Sequence, residues 1–212
     1  MPIDLATGLD DAMGISEEMM ACPTLRVPLI EPGTETGELV RLYDESRQMW
    51  GTVPRYLQLM AHVPAGVEAW NLLDRELRLK RLSSDPEYVI LEELAIIKTS
   101  LMNKCNNCTG HNVELGRSLG LTDEQIIELS GDEWRRSTVF GDKQKAVIAW
   151  AEAVTDRSAN GNEEVFAGMR RHFDDTRIVE LTLIIAMWNL SNRFAEALHL
   201  VVEPPGARIT FQ

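Results

Sequence analysis

Residues 88–102, Tyr88 through Met102, are apolar on nearly every side of a helix, and residues 178–190 share that character. A helix without a polar face has to be surrounded by other elements. Both stretches are therefore expected at the centre of the molecule. No segment of the chain alternates with period two between turn signals, which predicts an all-α fold. The two central stretches also resemble each other, Glu93-Leu-Ala-Ile-Ile against Glu180-Leu-Thr-Leu-Ile. A helical hairpin used twice within one domain would leave this trace, and so would chance similarity between two buried helices.

Local signals divide the rest. Residues 1–34 carry Pro2, Pro23, Pro28 and Pro32 with little periodicity, and read as an extended N-terminal arm preceding one helical domain over 35–212. Leu39, Leu42, Tyr43 and Met49 predict a first helix, Pro54 opens a short second, and Pro64 starts a third running to about Leu82. Asp85-Pro86 pairs an N-cap residue with proline at the first helical position, starting a helix to about Met102. Asn103-Lys104 break it, and the next helix runs from near Cys105 to about Gly120. Thr122-Asp-Glu-Gln125 is a capping box for a helix ending near Ser130. Asp142, Asn162 and Asp175 or Thr176 open the last three.

Composition narrows the function classes. The formal charge of −12 over 212 residues disfavours nucleic acid or an anionic membrane as partner, since phosphate binding needs a basic face. Arg75, Arg78, Lys80 and Arg81 do cluster, but read as the solvated side of one helix. Residues 178–202 contain Glu180, Arg193, Glu196 and His199 and are too polar to span a bilayer. Met1 to Met20 lack the pattern of a signal or transit peptide, and the cytoplasm is the expected location. Cys22, Cys105 and Cys108 do not make a disulfide framework of the secreted kind. No nucleotide or other cofactor motif is evident. Five tryptophans, Trp50, Trp70, Trp134, Trp150 and Trp188, exceed what the core obviously needs, and together with the arm suggest an interface with further copies of the chain.

The chemistry concentrates in Cys105-Asn-Asn-Cys108-Thr-Gly-His111. Thiols at i, i+3 in the first turn of a helix lie close enough to form a disulfide, and feel the positive end of the helix dipole, which lowers thiol pKa. His111 and Asn112, at i+3 and i+4 from Cys108, can flank the second thiol. Glu93, twelve residues before Cys105, has Val89, Ile90, Ile96 and Ile97 as its helical neighbours. A carboxyl so enclosed needs a partner or a raised pKa; Glu92 is a second candidate. Arg193 could hold a substrate carboxylate, or pair with Glu93, Glu180 or Glu196. Zinc is an alternative for CxxC plus histidine, although a second local ligand pair is missing. Two inert buried cysteines are the bland alternative.

Glu93, Cys105, Cys108 and the run Gly116-Arg-Ser-Leu-Gly-Leu-Thr-Asp-Glu-Gln-Ile126 resemble the alkylhydroperoxidase D-like (AhpD-like) proteins of the carboxymuconolactone decarboxylase superfamily, over roughly residues 35–203. The resemblance implies an all-α AhpD-like bundle that assembles as a trimer or hexamer. It implies Cys108 as the thiol attacking a hydroperoxide, Cys105 as the resolving thiol and Glu93 in a glutamate–histidine proton relay. Here the chain departs from the pattern. The family histidine falls at Asn112, which cannot act as a base near neutral pH, so either His111 serves from the other flank or the relay is altered.

The leading expectation is thus a thiol-dependent, peroxiredoxin-type antioxidant oxidoreductase. It reduces hydroperoxides through a dithiol/disulfide cycle, recharged by an external thiol and needing no cofactor. Its catalytic residues are Cys108, Cys105, Glu93 and His111, with Asn112 and Arg193 binding substrate. The alternative is a non-redox decarboxylase-like lyase or isomerase acting on a small carboxylated compound. A binding or assembly protein with vestigial cysteines is the third reading.

Overall fold

The computed structural model describes residues 25–204 and 206–209; Cys22 and most of the N-terminal arm lie outside them. Every regular element among the described residues is helical. They are α1 (Glu38–Trp50), α2 (Arg55–Met60), α3 (Pro64–Leu77), α4 (Pro86–Met102), α5 (Asn106–Ser118), α6 (Asp123–Leu129), α7 (Asp142–Thr155), α8 (Glu163–His172) and α9 (Asp175–Ala197). Short 3₁₀ turns at Leu79–Arg81 and Glu133–Arg135 complete the set.

The expected starts are carried by side chains that satisfy free N–H groups. Asp85 accepts from the Tyr88 amide ahead of Pro86. Thr122 and Gln125 exchange the two bonds of a capping box, and Asn162 accepts from Val165. The last helix is capped by Asp174, one residue before the expected opening. The third helix stops at Leu77 rather than Leu82, because the chain tightens into the 3₁₀ turn.

α4 is central. Leu94, Ala95, Ile96, Ile97, Thr99 and Ser100 are inaccessible to solvent, and the helix packs against α5, α7 and α9. Its two sides serve two cores. Ile97 joins Val113, Leu129, Ile148 and Leu181 in one. Ile96 joins Leu42, Leu57, Ile184, Cys105 and Cys108 in the other. α9 is less enclosed than its composition suggests: Val179, Leu183 and Leu190 are exposed. The repeated glutamates also sit differently, Glu93 sealed in the core and Glu180 near the surface with Arg81.

Four of the five tryptophans are buried within the chain, and Trp70 is half-buried against Tyr56 and Trp188. They serve this core, so they give no separate argument for an interface. Residues 25–30 run along the domain's own surface. Arg26 bonds to the carbonyls of Ala197 and Leu198, the Ile30 amide to Gln58, and Tyr43 donates to the Ile30 carbonyl. Among the described residues, no helix is long and apolar enough to cross a membrane.

Candidate active site

The junction between α4 and α5 places the thiols. Lys104 adopts a left-handed conformation, φ 56°, which turns the chain sharply after α4. Such a backbone costs a non-glycine residue about 1 kcal/mol or more. Beside it, the Asn103 side chain donates to Asn189 and Asn192 on α9. The turn makes Cys105 the N-cap of α5, its sulfur accepting the Cys108 amide at 3.4 Å. Both cysteines are free and buried, with Cys105 Sγ donating to Cys108 Sγ at 2.8 Å.

The two sulfurs are electrically unlike. Burial pushes the Cys108 thiol up, but hydrogen bonds from Cys105, Ser191 and Asn192 outweigh it and hold it below the usual thiol range. Ser191 Oγ lies 3.5 Å from Cys108 Sγ. Burial and the bond to Cys108 drive Cys105 well above that range. Of the two, Cys108 is the thiol that ionises more readily and Cys105 the one that keeps its proton.

Cys108 lines a small cavity of about 50 Å³, together with Tyr56, Trp70, Arg78, His111 and Ser191 among others. Its most consequential wall is Arg78. Expected on a solvated face, its side chain is only 2% exposed, because tertiary partners supply what water would. Its guanidinium lies 5.5 Å from the Trp50 ring centre and 4.8 Å from that of Trp188, a double cation–π contact. It pairs with Asp74 at 3.0 Å and Glu93 at 2.6 Å, and donates to Asn112 Oδ1 at 3.1 Å. Arg81 is also largely withdrawn, beside Glu92 and Glu180. Arg75 and Lys80 do remain solvated.

Asn112, at the family's histidine position, hands its own N–H to the Cys108 carbonyl at 2.7 Å. The connection from Glu93 to the Cys108 backbone therefore runs through Arg78 and Asn112, neither of them a base. His111 lines the cavity but is held elsewhere. Its Nδ1 accepts the Ile209 amide at 3.2 Å, so Nε2 carries the proton and donates to Glu203 at 2.7 Å. Burial raises the Glu203 carboxyl, yet His111 and the Arg55 amide hold it below its usual value. This C-terminal segment packs so closely that a Cβ on Gly110 would meet Val202 Cγ2 at 2.5 Å. His111 is thus a wall residue tied to Glu203 and Ile209 of the C-terminal segment, with no hydrogen bond to Cys108 among its contacts. Arg193 is exposed and donates to the Asn189 carbonyl. It lies apart from the cavity, and Arg78 takes the buried place expected of it beside Glu93.

Ser191, Asn192, Tyr56 and Arg78 complete the site without having announced themselves. Ser191 and Asn192 follow Asn189 on α9, where the sequence drew attention to Arg193 instead. Among the described residues, no group of three His, Cys, Asp or Glu side chains is arranged to hold a metal ion.

Burial outweighs Arg78 and raises Glu93 to about 7, and outweighs Arg78 and Arg81 to raise Glu92 to about 8. Glu92 and Glu93 are both inaccessible to solvent, and neither Glu92 oxygen has a hydrogen bond. A carboxyl whose folded pKa exceeds its unfolded value binds more protons when folded, so its contribution is intact below about pH 4.5 and is lost as pH rises through 7 to 8. Glu92→Gln is expected to remove on the order of 1–3 kcal/mol of that decline. Urea denaturation at pH 5 and pH 8 measures it; an equal loss of stability in both proteins would show that Glu92 plays no part.

Comparison with known proteins gives a consistent picture. The model of the Carboxymuconolactone decarboxylase family matches residues 90–153, which hold most of α4, Cys105 and Cys108, and most of α7. The uncharacterized protein YdfG of Bacillus subtilis (strain 168) is 30% identical over 107 residues, spanning 50% of this chain and 71% of its own. A protein of unknown function from Agrobacterium tumefaciens, proposed to be an antioxidant-defence AhpD, superposes with a TM-score of 0.59 at 27% identity. That match covers 68% of this chain and 94% of the other. The debrominase Bmp8 bound to 2,3,4-tribromopyrrole superposes at 0.70 with 19% identity, covering 85% and 92%, a likeness of fold alone. The chain belongs to the alkylhydroperoxidase D-like and carboxymuconolactone decarboxylase superfamily.

Proposed function

We propose that the protein is a thiol-dependent peroxidase that reduces hydroperoxides by cycling Cys105 and Cys108 between dithiol and disulfide. The observation that carries this reading is the unequal sulfur pair at the cavity: Cys105 Sγ lies 2.8 Å from Cys108 Sγ, whose hydrogen bonds lower its pKa while that of Cys105 is raised. The Cys108 thiolate attacks the terminal oxygen of R–O–O–H. The O–O bond breaks, Cys108 becomes a sulfenic acid, and RO⁻ takes a proton to leave as the alcohol. Cys105 then attacks the sulfenic sulfur, water departs, and the disulfide forms. An external dithiol returns two electrons and two protons.

The cavity has room for a peroxide group but little more, so the organic part of a substrate would lie toward the mouth. The lyase reading placed Arg193 on a substrate carboxylate, and that residue faces solvent. Arg78, the guanidinium at the cavity, is engaged by Asp74, Glu93 and Asn112. Self-association, as a trimer or hexamer, is part of the proposal. It is supported by exposed apolar residues on α3 and α9, among them Leu73, Leu183 and Leu190.

The test is mass spectrometry of the reduced protein after one equivalent of hydroperoxide, with free thiols alkylated. Rapid loss of two hydrogens confined to the peptide holding Cys105 and Cys108 is expected. An unchanged mass, with both thiols still open to alkylation after denaturation, would remove the redox reading.

A further inference from the structure

One buried polar atom at the cavity, the Tyr56 hydroxyl, is left without a hydrogen bond of good geometry. Tyr56 is 7% exposed, and its ring is fixed by Trp70 at 4.9 Å and Phe194 at 5.4 Å between centres. The hydroxyl lies near Ser191 and both sulfurs, yet forms no well-shaped hydrogen bond to any described residue. Burying an unsatisfied hydroxyl costs about 1–3 kcal/mol, a cost phenylalanine would avoid with the same packing. Tyr56 lines the cavity together with Cys108 and Ser191.

The geometry points to Tyr56 as a catalytic hydrogen-bond donor to the oxygen that leaves when Cys108 attacks a hydroperoxide. This rests on the peroxidase reading and adds the group that reaction otherwise lacks. The attack transfers the terminal OH to sulfur and leaves both electrons of the O–O bond on RO⁻. With Asn112 in place of a histidine and His111 held by Glu203 and Ile209, neither of those side chains supplies an acid. The Ser191 hydroxyl is engaged with Cys108. Tyr56 offers a fixed O–H to the developing charge until RO⁻ takes a proton from water. Burial, the largest influence on its ionisation, keeps the phenol protonated and thus a donor.

Rapid-mixing kinetics of reduced full-length protein test the assignment with two oxidants. One is tert-butyl hydroperoxide, whose alkoxide is a poor leaving group; the other is peracetic acid, whose carboxylate leaves readily. Tyr56→Phe is expected to slow thiol oxidation by tert-butyl hydroperoxide roughly tenfold to a hundredfold, and by peracetic acid less than about threefold. Its melting temperature should equal or exceed that of the wild type, since no hydrogen bond of good geometry is lost. An equal slowing with both oxidants, no slowing with either, or a clear drop in melting temperature overturns the role of Tyr56 while leaving the peroxidase reading intact. A wild-type protein inert to both oxidants overturns the two together.

Discussion

Cys108→Ser is expected to abolish hydroperoxide consumption, by roughly a thousandfold or more, because a hydroxyl at that place is no nucleophile near neutral pH. Cys105→Ser should behave differently. It retains the attacking sulfur, and a serine hydroxyl at the same N-cap can still accept the Cys108 amide, since serine is a good capping residue. The first oxidation should therefore proceed once per subunit and stop. The variant should gain the mass of one oxygen atom, and the added oxygen should be trapped on Cys108 by a sulfenic-acid reagent. The asymmetry follows from the way the thiol proton is shared: Cys105 donates to Cys108 and not the reverse. Should Cys105→Ser lose the first step as completely as Cys108→Ser, the sulfurs would have exchanged roles. If both variants consume peroxide at the native rate, the chemistry lies elsewhere.

The second large effect is on stability. Arg78→Met is expected to cost about 3–5 kcal/mol, because it leaves Asp74 and Glu93 buried without their common cation. For a chain of this length that is a fall in melting temperature on the order of 10 °C. The loss should depend on pH in a stated direction. Burial raises both the Asp74 and Glu93 carboxyls and Arg78 opposes it. Without the guanidinium their pKa values rise further, so the variant recovers part of its deficit in acid and suffers most above neutrality. Adding Glu93→Gln should restore part of the loss, since one orphaned charge is removed. Scanning calorimetry at pH 5 and pH 8 on the single and double variants measures these terms. A deficit below about 1 kcal/mol at both pH values would mean that Arg78 contributes only its stacking on Trp50 and Trp188.

How far the sequence could be read follows from the range of the forces involved. The caps at Asp85, Thr122 and Asn162 were legible because acceptor and amide lie within three residues of each other. The thiol pair was legible for the same reason, its i, i+3 spacing within one helical turn. Arg78 was misread because its burial is decided by Glu93 and by Trp188, 15 and 110 positions away. Periodicity sees only the charged neighbours Arg75, Lys80 and Arg81. His111 was near enough in sequence to be offered as a base, but Glu203 and Ile209 fix which way its ring nitrogens point. Tyr56 gave no sign at all, because an unsatisfied hydroxyl exists only relative to a folded environment.

The sulfur of Cys105 is also the acceptor for a backbone amide, that of Cys108. Any change in what that sulfur is bonded to must be felt by this N–H, whose resonance frequency and exchange with solvent deuterium then become a label-free gauge of oxidation state. The chain carries its own redox indicator in its main chain, readable without touching either thiol.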